Sequence, residues 1–413
     1  MPAIDPPATS QTVVGTAMPQ GLVVLLLSLL LGIQPVTTDL YLPALPALTT
    51  DLSAPMAQAQ LTLTALLLAF GVSQLAWGPL SDRFGRRPIL LAGLALYTVA
   101  SVGSALAPHM ALLIAWRTLQ GAAMGAAVMG ARAVVRDLYT PEAGARAMSR
   151  GLTGLGVIAC CCAPLGGVLA DAFGWRYALL APAVFGGAAL ALVALRFAET
   201  APRRNPLALR PAALLATWWA ILRHPAFLAY SALSTASYAG LFTFLASSPF
   251  IFIEVLGLSR TQYGLAMFAV SFVYILGTFM CRRLLPRFGV RRTVAIAGGI
   301  TLASGTLLGV LGLAGVANAW ALLAPLCLFM LAHGVHQPCG QSGAVAPFPQ
   351  AAGAASALNG FLMMLAAFGV GGWVGLRLDG SARALTDGMW FWCVCIALVA
   401  WTLVRKHGEP KRA

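Results

Sequence analysis

Twelve stretches of mostly apolar residues, each roughly 20 residues long, make up most of the chain. They lie near residues 20–43, 57–78, 88–107, 110–131, 147–170, 177–197, 226–250, 261–281, 292–314, 318–341, 351–376 and 386–405. A helix rises about 1.5 Å per residue, so each stretch can cross a hydrocarbon layer of about 30 Å. Only 9% of the residues are charged, whereas soluble domains carry about 25%. The sequence therefore predicts an all-α membrane protein with twelve transmembrane helices in a lipid bilayer.

An internal repeat divides these helices into two sets of six. RFGRR at residues 83–87 recurs as RFGVRR at residues 287–292, and each copy follows the second helix of its half. The longest polar connection, residues 198–225, separates the halves. We therefore predict two pseudo-repeated six-helix bundles, with a substrate cavity between them. The predicted order is a disordered cytoplasmic tail (1–19), the first bundle (20–197), a cytoplasmic linker (198–225), the second bundle (226–405) and a cytoplasmic tail (406–413).

Positive charges fall mainly on one side of the predicted helices. With both termini on that side, its loops hold 21 of the 26 Lys and Arg residues, and the opposite loops hold four. Short basic loops remain in the cytoplasm during membrane insertion, so we expect both termini there. This topology accounts for the net charge of +14 without a nucleic-acid partner.

Asp39 is the one carboxylate that we place inside the membrane rather than at an end of a predicted helix. It lies six residues beyond Ile33, the centre of the first helix, which places it about 9 Å from the membrane midplane. An ionised carboxylate within the hydrocarbon costs on the order of 2.5–3.5 kcal/mol, and such residues commonly relay protons or ions. Alternatively, Pro43 and Pro46 end the helix early, and water at the outer surface solvates Asp39.

Arg117, on the fourth predicted helix, is the one cation that we place inside the membrane rather than at an end of a helix. Its estimated depth differs from that of Asp39 by only about 3 Å, so both side chains could face one cavity. Arginine does not titrate in proteins, so only Asp39 of this pair could bind and release a proton. Arg117 would stabilise the ionised form of Asp39 or move away from Asp39. A snorkelling side chain or a structural tie is the alternative for Arg117.

Six motifs along the chain resemble one family of transporters. They are TTDLYLPALP (37–46), GPLSDRFGRRP (78–88), RTLQGAAMGA (117–126), APLGGVL (163–169), LASSPFIFIEVLGLS (245–259) and APFPQAAGAASALNGF (346–361). Together they resemble the major facilitator superfamily and, more narrowly, the bicyclomycin/chloramphenicol-resistance branch of its drug:proton antiporters. The resemblance extends over nearly the whole chain.

The resemblance implies roles for three groups of residues in a bacterial inner-membrane exporter. Asp39 and Arg117 would couple transport to protons. A cytoplasmic loop would lock the inner gate, through Gly78, Asp82, Arg83, Gly85, Arg86 and Arg87. An antiporter motif on the fifth helix, Pro164, Gly166 and Gly167, would let that helix bend and pack closely. The loop arginines could also serve only to set topology, and the glycines only to pack.

The predicted cargo is a small amphipathic drug of amphenicol, bicyclomycin or sulfonamide type. Leu31 occupies a position at which some related exporters carry a second acid, so we expect at most one proton per cycle and neutral or monocationic substrates. Aromatic and Met residues form an adaptable apolar pocket, and we expect Tyr41, Tyr238, Phe242, Phe244, Phe361 and Met364 to line it. The alternative cargo is an endogenous metabolite or sugar derivative.

An enzymatic function is disfavoured, because no nucleophile–base pair, HExxH motif or phosphate-binding loop lies on the predicted helices. His333, His336 and Cys339 recur at intervals of three, but Pro338 interrupts them and no carboxylate accompanies them, so we expect no metal. We interpret the eight cysteines as small buried apolar residues and expect no disulfide. We expect a monomer that uses the proton gradient and no cofactor.

Overall fold

The computed structural model describes residues 18–139, 141–201, 209–316 and 318–407. Most of both predicted tails and residues 202–208 of the predicted linker lie outside these ranges. The described residues form helices and short helical turns, with no β-strand. The predicted all-α fold class is therefore confirmed.

Eleven helices in the described ranges are long and apolar enough to cross a membrane. Including α2, α8 and α14, which are too short to cross a membrane alone, the described α-helices are α1 (Gln20–Thr38), α2 (Leu45–Asp51), α3 (Met56–Phe84), α4 (Arg86–Ala105), α5 (Met110–Leu138), α6 (Pro141–Ala172), α7 (Trp175–Arg196), α8 (Pro211–Leu222), α9 (Pro225–Pro249), α10 (Arg260–Leu313), α11 (Ala319–Val345), α12 (Ala352–Arg377), α13 (Arg383–Val399) and α14 (Arg405–His407). Short α2 belongs to the same candidate span as α1, Gln20–Asp51, and α8 lies within the predicted linker.

Helix α10 accounts for two of the twelve predicted spans. At 54 residues it would extend about 80 Å if straight, more than twice the thickness of the hydrocarbon layer. Gly289 interrupts it with a φ of 71°, a left-handed conformation that favours glycine. Residues 260–288 and 290–313 therefore correspond to the predicted eighth and ninth helices.

Gly85 has the same role in the first copy of the repeated motif. Its φ of 105° separates α3 from α4, just as Gly289 divides α10. A residue with a Cβ would be strained at either position. The repeat therefore preserves one backbone reversal in both halves of the molecule.

Several helices extend further than the apolar stretches predicted. Helix α3 continues to Phe84 and α5 to Leu138, so Asp82 and Arg132 lie in helices rather than in loops. The hydropathy boundary marks where polar residues begin, but hydrogen bonding within a helix continues past it. The sequence suggested that Arg117 is the only cation within a membrane-spanning helix, but Arg132 also lies within one.

The two halves of the molecule meet along two seams. Helix α3 packs against α12, and α6 packs against α10. Glycines allow close approach: Gly264 of α10 faces the backbone of Ala163 and Pro164, and Gly371 of α12 faces Thr64 of α3. Small residues at such contacts let helices pack tightly without a hydrophobic driving force.

The ends of the bundle differ in charge. The end that carries Arg86, Arg87 and Arg196 is here called the basic end. At the other end, here called the opposite end, Asp51 pairs with Arg176 at 2.8 Å. There Asp171 of α6 also accepts hydrogen bonds from the backbone N–H and hydroxyl of Thr261 in α10, at 3.0 and 2.7 Å. These last contacts join the two halves.

Two adjacent glycines of α12 provide a test of the seam. A Cβ at Gly371 would collide with Thr64 and lie 3.0 Å from Phe242, whereas a Cβ at Gly372 meets nothing within 4 Å. Gly371→Val should therefore destabilise the detergent-solubilised protein by about 1–3 kcal/mol. Gly372→Val should change the thermal unfolding midpoint much less. Equal midpoints for the two variants would contradict the described packing of α3 against α12.

Candidate functional site

A central cavity of about 320 Å³ lies between the two halves. Its lining comes from α1, α3, α5 and α6 of the first half and from α9, α10, α11 and α12 of the second. Ligand-binding sites of transporters with this type of repeat lie at the interface between the halves. The volume falls within the range of small-molecule sites, about 300–1,000 Å³.

The cavity is closed at the opposite end and extends toward the basic end. At the opposite end, the Gln60 side chain of α3 donates to the carbonyl of Ala246 in α9 at 2.6 Å, and the Asp171 carboxylate accepts from the Thr261 hydroxyl. The lining includes Arg132, Gln341 and Val345, from the ends of α5 and α11 that lie at the basic end. The cavity lining therefore continues to the basic end, whereas contacts between the two halves cross the opposite end.

Asp39 lies at the C-terminus of α1 and lines the cavity. Its backbone N–H donates to the carbonyl of Pro35 at 2.8 Å, and its carboxylate accepts from the Thr38 hydroxyl at 2.7 Å. Of the lining residues that the structure describes, Asp39 is the sole carboxylate. Any proton held on a carboxylate in this cavity is thus held at Asp39.

Arg117 is completely buried beside the same end of α1. Its guanidinium donates to the carbonyl of Thr37 at 3.0 Å and to the Gln120 side chain at 2.8 Å. It lies 4.5 Å above the ring of Tyr41, a cation–π contact. Carbonyl and amide oxygens thus satisfy this buried cation, and it forms no ion pair with Asp39. Arg117 is not among the residues that line the cavity, so the expectation that both predicted coupling residues face one cavity is wrong for Arg117.

Hydroxyl groups surround Arg117 and restrict its position. The Tyr41 hydroxyl lies 2.8 Å from that of Thr62, and the Thr37 hydroxyl lies 2.6 Å from that of Tyr97. Gln120, which accepts from Arg117, donates in turn to Ser101 at 2.6 Å. A change at the C-terminus of α1 would therefore disturb a network that reaches α3, α4 and α5.

Three of the six residues predicted to line the cavity do line it, and three do not. Tyr238, Phe244 and Met364 line it, and the Tyr238 hydroxyl accepts from Gln34 at 3.4 Å. Tyr41, Phe242 and Phe361 are not among the lining residues. Tyr41 packs beneath Arg117, Phe242 packs at the seam near Gly371, and the backbone of Phe361 lies against α3 at Gly71.

Two ionisable residues in the lining were not predicted there. Arg132 was assigned to a loop, and His333 was considered only as a metal ligand; both line the cavity. The Nδ1 of His333 lies 2.8 Å from the hydroxyl of Ser237, and its ring stacks on Phe329.

The residues considered as metal ligands face different neighbours. His333 faces Ser237 of α9, whereas His336 lies 3.0 Å from the Thr301 hydroxyl of α10. The sulfur of Cys339 lies 3.8 Å from that of Cys281, and the eight cysteines are all free. No group of three or more potential ligands occurs within the described ranges.

The gate motif surrounds a buried arginine at the basic end. Arg86 is 5% exposed and bonds Asp137 at 2.7 Å and Asp82 at 2.6 Å. Arg136 approaches Asp82 at 3.4 Å. Arg87 donates to the carbonyl of Ala194, Arg83 lies over the ring of Phe84, and Gly78 faces Met129. Asp82 and Asp137 thus tie the start of α4 to the ends of α3 and α5.

Glu199, which follows α7, completes this arrangement and was not predicted. Its carboxylate accepts from the backbone N–H groups of Arg86 and Arg87 at 2.8 and 3.2 Å. These groups are left free at the start of α4, and an anion is favoured there. Gly85 leaves room for this carboxylate, because a Cβ there would lie 2.5 Å from it.

The antiporter motif brings α6 close to two backbones near Asp39. A Cβ at Gly166 would collide with the carbonyl of Leu40, and one at Gly167 would lie 2.5 Å from the carbonyl of Arg260. Pro164 lies inside α6, where it removes one hydrogen-bond donor. These three residues lie where α6 meets both α1 and α10.

Comparison with known proteins identifies relatives of the whole chain. The family model of the Major Facilitator Superfamily matches residues 27–404. Multidrug resistance protein D of Escherichia coli (strain K12) is 31% identical over 82% of this chain and 84% of its own. A bicyclomycin resistance protein homolog of Haemophilus influenzae is 27% identical over 94% and 97%. The crystal structure of a D-xylose-proton symporter shares the fold, with a TM-score of 0.74, 16% identity and coverage of 93% and 97%.

Arg117→Lys tests whether the planar guanidinium is required. Lysine keeps the charge but cannot reach the carbonyl and amide acceptors in the same geometry. We expect a loss of about 1–3 kcal/mol in stability, measured by thermal unfolding in detergent. Arg136→Lys on the same helix is the control, because Arg136 is 52% exposed and should lose little. A loss no larger than that of the control would show that charge alone suffices.

Glu199→Gln tests the cap of α4 and its dependence on pH. Burial disfavours the ionised form, but the backbone N–H donors outweigh it, so the pKa of Glu199 lies below its ordinary value of 4.5. The stabilisation is therefore present above about pH 4.5 and is lost as the pH falls through the lowered pKa. At pH 7 the variant should unfold more easily by about 1 kcal/mol or less.

The difference in Tm between wild type and Glu199→Gln should shrink as the pH is lowered from 7 to below 4.5. Glu254→Gln, at an exposed position near the opposite end, serves as the control and should show little difference at any pH. A difference for Glu199→Gln that does not depend on pH would contradict capping by an ionised carboxylate.

Proposed function

The chain belongs to the major facilitator superfamily, a family of membrane transporters, and its relatives confirm the predicted drug-resistance branch; we propose that it exports small amphipathic drugs in exchange for protons. The observation that carries the proposal is Asp39, the sole carboxylate among the described lining residues. A proton and a drug that compete for one cavity provide the coupling that antiport requires.

The mechanism assigns separate tasks to Asp39 and Arg117. The drug enters from the basic end and displaces the proton from Asp39, and a proton arriving from the other side later displaces the drug. Arg117 binds the carbonyl of Thr37 rather than Asp39, so it fixes the position of the carboxylate without neutralising it. Arg117 is thus a positioning residue, and Asp39 carries the charge that changes.

The contacts at the opposite end act as the closed outer gate in this proposal. Basic loops remain in the cytoplasm, so the basic end faces inward and both termini are cytoplasmic. Release of the drug then requires Asp171 of α6 to separate from Thr261 of α10. The gate motif around Arg86 would hold the basic end together in the outward-facing state. We propose a monomer in the bacterial inner membrane.

The cargo class rests on the relatives and on the lining of the cavity. Tyr238, Phe244 and Met364 provide apolar surface for a compound of amphenicol, bicyclomycin or sulfonamide type. The lining also holds several amide side chains: Gln34, Gln74, Gln337, Gln341 and Asn359. Such groups suit a hydroxyl-rich ligand, so a metabolite or sugar derivative is the second candidate cargo.

Proton release on drug binding tests the proposal directly. Adding chloramphenicol to the purified wild-type protein in weakly buffered detergent should release protons, and Asp39→Asn should abolish the release. Asp379→Asn is the matched control, because Asp379 lies in a connection outside the cavity. In energised cells, the wild type and the control should lower intracellular chloramphenicol, and a protonophore should abolish this effect.

Two results would contradict the proposal. If Asp39→Asn still exported drug against a gradient in energised cells, Asp39 would not be the coupling site. If no drug bound the wild type but a hydroxyl-rich metabolite released protons from it, the second cargo class would replace the first.

A further inference from the structure

Arg132 is a cation in the cavity with no anionic partner. It lies on α5, lines the cavity and donates to the hydroxyl of Ser356 on α12 at 2.7 Å. Arg132 forms no ion pair with any carboxylate in the described part of the chain. The side chain of Arg132 is half-buried, and a partly desolvated cation without an anionic partner gains from an anionic or electron-rich group brought by a ligand.

The nearest acids at the basic end already bind other arginines. Asp82 accepts from Arg86 and Arg136, and Asp137 accepts from Arg86 at 2.7 Å. Both carboxylates therefore belong to the gate motif. The other lining residue beside Arg132 on α5 is Val128, which offers no acceptor.

Asp39 is too far away to neutralise Arg132. Arg117 binds the carbonyl of Thr37, so Arg117 and Asp39 lie at similar depths. Arg132 is fifteen residues further along α5, which places it about 22 Å closer to the basic end. That separation exceeds the screening length of about 8–10 Å in physiological salt. The cavity therefore has a carboxylate toward the opposite end and a guanidinium toward the basic end.

We propose that Arg132 and Ser356 form a subsite for an oxyanion or a strongly accepting oxygen group of the substrate, such as a carboxylate, sulfonyl or nitro group. This inference rests on the proposed export function and narrows its substrate class. A guanidinium can hold two such oxygens at once, which gives both affinity and orientation. The apolar part of the substrate then lies against Tyr238, Phe244 and Met364. The subsite replaces the expectation of neutral or monocationic cargo with neutral or anionic cargo.

Three probes of one shape but different charge test the subsite: 2-naphthoate, 2-naphthamide and 2-naphthylmethylammonium. Their affinities for the purified protein are measured by calorimetry. The wild type should bind the naphthoate about tenfold or more tightly than the ammonium compound. Arg132→Gln should lose this preference while retaining the binding of the amide, which shows that the cavity is still folded. Arg377→Gln, an identical change at an exposed site outside the cavity, should behave as the wild type.

Further variants keep the test decisive if Arg132→Gln does not fold. Arg132→Lys should retain a reduced preference, and Ser356→Ala should weaken only the binding of the naphthoate. A wild type that prefers the ammonium compound or binds none of the probes, or an Arg132→Gln variant with unchanged preference, would overturn the subsite. Asp39→Asn should keep the preference for the naphthoate, so failure of proton coupling and failure of the subsite give different results.

Discussion

The hydrogen bond from Arg117 to the carbonyl of Thr37 sets the relative position of α5 and α1, and the chemistry of the cavity follows from it. It holds a buried cation against the end of the helix that carries Asp39. Through the regular rise of α5, it also determines that Arg132 emerges near the other end of the cavity. A single contact between helices therefore distributes two opposite charges along one cavity.

Alternating access requires that the two halves touch firmly at one end and still separate. The glycine-lined seams meet both needs, because small residues bring backbones close without interlocking long side chains. Near Gly166 and Gly167, α6 meets the carbonyls of Leu40 and Arg260. The chain next to Asp39 and the contact between the halves thus both pack against α6. Under the proposed function, a rearrangement at Asp39 would reach the contacts between the halves at the opposite end through α6.

The sequence was sufficient to predict the fold and to single out Asp39, the sole carboxylate among the described residues that line the cavity. Apolar length, the repeated motif and charge asymmetry are strong signals because lipid imposes them on every span. Which side of each span faces the cavity was much harder to predict. Both lipid and protein interior are apolar, so Phe242 and Met364 look alike in sequence although only Met364 lines the cavity. Arg132 was missed because an arginine near the end of an apolar stretch resembles a topology signal. Glu199 was missed because its hydrogen-bond partners are backbone N–H groups, which produce no pattern in the amino-acid sequence.

Gly85 and Gly289 reverse the chain at equivalent points of the two halves, although the loops around them differ in charge. The first copy carries Asp82 three residues before its glycine, and the second carries Pro286 at that position. In each loop, the glycine therefore permits the backbone turn, whereas other residues determine which ion pairs form. After a duplication, each half could lose or gain electrostatic contacts without losing its turn. Transporters built in this way can evolve unequal halves from equal ones while every intermediate still folds.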